Sequence, residues 1–233
     1  MEVILNQKPK NPIMIEGFPG FGFVSTITTE FLIEHLNAKL IGRIDSDKLM
    51  PMVAIHNKNL LEPLGIYYDK SHNIIIFHAV TNMQGLEWEI AEKLTMLSRE
   101  LKTKELISVE GVAAQSEENN AYCYACNEEI EKRFRKIKVE PLKEGIIMGV
   151  TAALLLKARC PISAVFVETH SGLPDSRAAA KAIEILDKYL NLKVDYKPLL
   201  EKAEQFENKL KFLMEQQTKA QEQKDRKELS YFG

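Results

Sequence analysis

Short apolar runs alternate with stretches whose apolar residues recur every three or four positions, and this alternation fills residues 1–195. A short apolar run bounded by turn signals suits a buried strand, while recurrence at three and four positions suits one face of a helix. Ile13-Met14-Ile15 reads as a strand ended by a glycine-rich turn, and residues 23–36 as a helix with Phe31, Leu32 and Leu36 on one side. Lys39 to Ile44, Met52 to Ile55, Leu64 to Tyr68 and Asn73 to Val80 read as strands. Asp69-Lys70-Ser71-His72 is a polar link of hairpin length between the last two, so part of the sheet is antiparallel. Leu86, Ile90, Leu94, Leu97 and Leu101 predict a helix over 86–101. Leu106 to Ala114, Ala121 to Ala125 and Ile162 to Val167 are further strands, and Glu128 to Lys136 a short helix. Gly145 to Ala158 carries no charge before Lys157 except at its borders, and reads as a buried helix. Pro174-Asp175 opens a last helix to Leu190, with Ala179, Ala182, Ile183, Leu186 and Leu190 as its core face. Strands alternating with helices that must cover both faces of a sheet give an α/β layered domain with a mixed sheet.

The pattern changes at Pro198. Leu199, Ala203, Phe206, Leu210 and Leu213 are spaced four, three, four and three apart, which is the 3.5-residue repeat of a coiled-coil seam. Gln217 and Ala220 continue it, but Glu215 to Glu228 holds four basic and four acidic residues and almost nothing apolar, so the second half is solvated. A helix over 196–224 would be roughly 40 Å long. It either lies on its own domain or packs against a copy of itself or a partner. Residues 225–233 form a tail ending Leu229-Ser230-Tyr231-Phe232-Gly233. Two adjacent aromatics beside a free carboxylate can fill a pocket, since aromatics give contact area at low entropy cost and the carboxylate can be captured by a lysine or backbone amides. Composition leaves a plug and a folded-back tail equally open.

The formal net charge of −2 lacks the basic excess of a nucleic-acid binder. No apolar run reaches the length of a membrane-crossing helix, and the first residues lack the pattern of a signal peptide, so the expected location is cytoplasmic. Cys123 and Cys126 form a Cys-x-x-Cys pair with strand-like flanks, and Cys160 stands apart without paired histidines. That suits structural cysteines better than a redox motif or a zinc site, and no metal or cofactor is expected.

Gly17-Phe18-Pro19-Gly20-Phe21-Gly22 sits where a strand meets a helix, a place where α/β proteins bind phosphates. Its spacing is Gly-x-x-Gly-x-Gly rather than Gly-x-Gly-x-x-Gly, and no Lys-Ser or Lys-Thr follows. Gly17, Pro19, Gly20 and Gly22 are therefore candidates for a ligand loop or for a tight packing turn. His170 with Asp175 is the best catalytic candidate, against the simpler reading of Asp175 as a helix cap. No catalytic residue is assigned.

Three features together resemble the proteasome assembly chaperone family in its archaeal form. They are Glu16-Gly17-Phe18-Pro19-Gly20-Phe21-Gly22 after the first strand, Glu168-Thr169-His170-Ser171-Gly172-Leu173-Pro174-Asp175-Ser176 after the last, and the long C-terminal helix with its aromatic end. The resemblance implies a Rossmann-like, nucleoside-phosphorylase-like fold without known enzymatic activity. It also implies a homo-oligomer that binds proteasome α-subunits, with no nucleic acid and no membrane involved. In the family, a C-terminal hydrophobic-Tyr-X tail enters pockets between neighbouring α-subunits. Here Tyr231, Phe232 and Gly233 hold those three positions, so the penultimate tyrosine is replaced by phenylalanine. Loss of that hydroxyl removes a hydrogen bond worth about 0.5–1.5 kcal/mol. The rival reading is a nucleoside- or phosphate-binding hydrolase or phosphorylase using the 17–22 and 168–176 loops.

Overall fold

The hairpin expected at 69–72 organises one half of the sheet. In the computed structural model, which describes residues 1–49, 54–56, 59–113, 119–170, 172–197 and 212, β6 (Leu64–Asp69) and β7 (Ile74–Ala79) pair antiparallel across this link. The buried Asp69 carboxylate closes the turn by accepting the amides of Ser71 and His72 and the His72 ring Nδ1 at 2.6 Å. Asn73 then takes a left-handed φ of 57°, a conformation that asparagine tolerates better than most residues.

Among the described residues, one sheet holds nine strands in the order β1-β3-β6-β7-β2-β8-β11-β9-β10. Its centre is four parallel strands: β7, β2 (Ile13–Gly17), β8 (Glu105–Ala113) and β11 (Ile162–Thr169). Antiparallel pairs add β6, β3 (Lys39–Asp45) and β1 (Glu2–Leu5) on one side. On the other side β9 (Ala121–Ala125) runs antiparallel to β11, and the two-residue β10 (Glu140–Pro141) ends the sheet. A separate hairpin pairs β4 (Ala54–His56) with β5 (Asn59–Leu61).

Helices cover both faces. The alternation of side chains along a strand sends Ile15, Ile107 and Val109 to one face and Met14 and Leu106 to the other. The first face is covered by α1 (Val24–His35), α3 (Glu128–Lys136) and α5 (Ser176–Leu190); the second by α2 (Glu87–Leu101) and α4 (Gly149–Lys157). All five leucine and isoleucine positions of the predicted 86–101 face are buried. Asp175 caps α5 by accepting the amides of Arg177 and Ala178.

Three differences from the sequence reading stand out. Strand β1 pairs with β3, whereas the sequence reading placed no strand before Ile13. The helix expected over 145–158 is shorter, Gly149–Lys157, and is not wholly buried: Ile146, Met148 and Leu156 are exposed. Pro141 belongs to an edge strand. The seam Leu199, Ala203, Phe206, Leu210 and Leu213 and the tail Tyr231, Phe232 and Gly233 lie outside the described residues.

Candidate functional site

In an open α/β sheet, chemistry gathers at the carboxyl ends of parallel strands, where neighbouring strands send their helices to opposite faces. Here β2 leads to α1 on one face and β7 to α2 on the other. The loops singled out by sequence both rise from this edge and meet. The Asp175 amide donates to the Gly22 carbonyl at 2.9 Å, and Thr169 Oγ1 donates to Asp175 Oδ2 at 2.7 Å. Gly22 has φ 65°, and a Cβ there would stand 2.6 Å from Thr169 Oγ1, so glycine serves both the turn and the close approach. Phe21 and Leu173 stand exposed on the rim formed by the two loops.

Below the 17–22 loop lie two carboxyl groups that no sequence motif announced together. The parallel register sets Glu16 opposite Ser108, and Glu110 follows two residues later on the same face. Glu16 is buried. Its Oε1 accepts the Ser108 hydroxyl and lies 3.3 Å from Thr151 Oγ1; its Oε2 accepts the Phe18 amide at 3.3 Å. Thr151, in the first turn of α4, also donates to Glu110 Oε2 at 2.8 Å. One hydroxyl thus stands between two carboxyls. Burial, and after it the neighbouring Glu110 charge, push the Glu16 carboxyl well above the usual carboxylate range. Burial likewise pushes Glu110 up to about 7, while the Thr151 hydroxyl and the Phe21 amide favour its charged form.

These carboxyls bear directly on a phosphate-loop reading. Such a loop works by aiming backbone N–H groups at an outside anion. Here the Phe18 amide is engaged by Glu16, the Phe21 amide by Glu110, and the Phe23 amide by the Gly20 carbonyl. A Cβ on Gly20 would meet Glu110 Oε1 at 2.1 Å, so Gly20 makes room for the protein's own acid. Gly17 is fully enclosed against α1, and Pro19 is half-buried between them. The signal available in the sequence was a charge inside each of two apolar strands, Glu16 after Ile13-Met14-Ile15 and Glu110 within Leu106 to Ala113.

Cys123 and Cys126 sit in different settings. The buried Cys123 thiol is pushed up to about 11, chiefly by burial, and Cys126 Sγ accepts the Ile162 amide at 3.3 Å. Among the described residues, no group of three or more His, Cys, Asp or Glu could hold a metal, and no helix is long and apolar enough to cross a membrane. A cleft of about 280 Å³ between α5 and the turn after α3 is lined by Lys138, Lys181 and Lys188. Two of these lysines already bind Glu184, at 3.2 and 2.5 Å.

Comparison with known proteins agrees with the architecture. The model of the PAC2 family matches residues 14–214. An uncharacterised protein of Methanocaldococcus jannaschii is 32% identical over 222 residues, 94% of this chain and 92% of its own. The crystal structure of PbaA from Pyrococcus furiosus, described as an archaeal homolog of proteasome-assembly chaperone, superimposes with a TM-score of 0.86 at 32% identity. That match covers 94% of this chain and 99% of PbaA. PbaB from the same organism, described as an archaeal proteasome activator, shares the fold at a TM-score of 0.73 and 24% identity, over 91% of this chain and 98% of its own. Matched by the family model over most of its length and by a relative over nearly all of it, the chain belongs to the PAC2 family.

Proposed function

We propose that this chain is a proteasome assembly chaperone: a cytoplasmic homo-oligomer that binds proteasome α-subunits through its C-terminal aromatic tail. The observation that carries the reading is the likeness to PbaA along 94% of this chain and 99% of PbaA. The inward-facing amides of the 17–22 loop add support, because they are engaged by Glu16 and Glu110 rather than held open for a substrate anion. The support for the tail is its sequence. Tyr231 and Phe232 supply two rings beside the terminal carboxylate of Gly233, and Asp225 to Gly233 can reach at most about 30 Å when extended. The α/β body is the scaffold that sets the spacing of several tails, and no catalytic step is assigned to it.

Removal of Tyr231-Phe232-Gly233 is expected to abolish capture of proteasome α-rings in a pull-down, while light scattering gives the same mass for the body. Undiminished capture by the shortened protein would sink the tail mechanism.

A further inference from the structure

The cleft between α5 and the turn after α3, about 280 Å³ in volume, lies apart from the 17–22 loop and is lined by an unbalanced set of charges. Lys181, Glu184 and Lys188 stand three and four residues apart, along one side of α5. Glu184 Oε2 accepts Lys181 at 3.2 Å and its Oε1 accepts Lys188 at 2.5 Å. The bond from Lys188 does most to hold the Glu184 carboxyl below its ordinary value. One carboxylate is thus matched twice, and it fixes both ammoniums at the cleft wall, where each keeps N–H donors beyond the one spent on Glu184. On the other wall stands Lys138, which no acid pairs with among the described residues.

Three ammoniums therefore line a space that holds one carboxylate, and two positive charges remain unmatched. Lysines on an open helix face are simply solvated, but these surround a concavity with an apolar floor: Val139 and Ile185 line it and are buried. Asn119 and Asn120 complete the lining beside β9. Their side-chain amides are held by Glu168, through its carbonyl at 2.8 Å and its Oε2 at 2.9 Å.

The charge and the volume select a ligand. A phosphate monoester carries about 1.5 to 2 negative charges at neutral pH, and lysine binds phosphate as a point charge. A carboxylate carries one charge and would leave one ammonium unmatched. The volume stands at the low end of small-molecule sites, about 300–1,000 Å³, which suits a compact body and excludes a dinucleotide. We infer that this cleft binds a small phosphate monoester, with its phosphate between Lys138, Lys181 and Lys188 and its body against Val139 and Ile185. The inference goes beyond the proposed function: it gives the α/β body a ligand of its own, involves no C-terminal residue and assigns no reaction.

Isothermal titration calorimetry on the full-length protein tests it, with phenyl phosphate as the probe and inorganic phosphate and benzoate beside it. Phenyl phosphate is expected to saturate one site per chain. It should bind about tenfold more tightly than inorganic phosphate, because its ring covers apolar surface, and more tightly than benzoate. Lys138→Asn and Lys188→Gln are each expected to weaken binding about tenfold, the effect of losing one charge-assisted hydrogen bond. Asparagine suits the left-handed backbone at position 138, where φ is 62°, and Lys188 is exposed; circular dichroism melts check that both variants fold. Lys70→Gln, in the β6–β7 hairpin, is expected to leave the affinity unchanged. No saturable binding, affinity unchanged in both cleft variants, an equal loss in Lys70→Gln, or binding of a phosphotyrosine peptide without binding of phenyl phosphate would each overturn the inference. Capture of α-rings is read separately, so failure of tail docking leaves these outcomes intact.

Discussion

Glu110 is half-buried and meets Thr151, the Phe21 amide and the edge of Gly20. A carboxyl raised from an ordinary 4.5 to about 7 binds its proton more tightly in the folded chain than in the unfolded one. It therefore adds stability that is fully present below about pH 4.5 and is lost as pH rises through about 7. Glu16 acts in the same direction, since burial also raises it. The melting temperature of the wild type is expected to fall between pH 5 and pH 8. Glu110→Gln, which keeps the shape of the neutral acid, should lessen that fall and melt higher than wild type at pH 8. Calorimetry across the pH series checks this, and parallel curves for the two proteins would contradict it. A different buried acid sits at the amino ends of the same strands. Glu105 accepts Arg133 at 2.7 Å, the Ser163 hydroxyl at 2.6 Å and the Tyr189 hydroxyl at 2.8 Å, and Arg133 lies 4.0 Å over the Tyr189 ring.

Glu105 links elements rather than loops, joining β8 and β11 to α3 and α5. Phe134 of α3 stacks on Tyr189 of α5 at 4.2 Å between ring centres, so the polar contact and the apolar one fix the same pair of helices. Truncation of Glu105 to alanine leaves Arg133 and two hydroxyls without their acceptor. Loss of one partner of a buried pair costs about 3–5 kcal/mol; Arg133 is partly open to water, so about 3 kcal/mol is expected in urea unfolding. At this scale much was legible in the sequence. The 86–101 and 176–190 helices and the 69–72 hairpin follow local patterns that contacts within a few residues can enforce. Exposure along α4 was not legible, because a run of apolar residues signals burial whether the partner is the sheet or another molecule. Nor was the Glu16–Glu110 pair, because it depends on which strands become neighbours, and β2 and β8 are separated by five strands and two helices in the chain order.

For the whole molecule, the proposed function makes the number of tails held at a fixed spacing the relevant quantity. A single aromatic tail is a weak ligand, and joining several raises the overall affinity by about 10²–10⁴ when the spacing fits. On that proposal, a dissociated form of the protein keeps every residue of the tail but loses its linkage to the others. Its affinity for α-rings is therefore expected to drop by at least about 10²-fold in surface-capture measurements. An unchanged affinity would mean that one tail suffices. The way copies can meet is also limited by the last strand of the sheet. A two-residue β10 that ends in Pro141 offers no row of free N–H groups to an incoming strand. Growth of the sheet across molecules is blocked at that border, so a second copy arriving there finds no backbone template to extend.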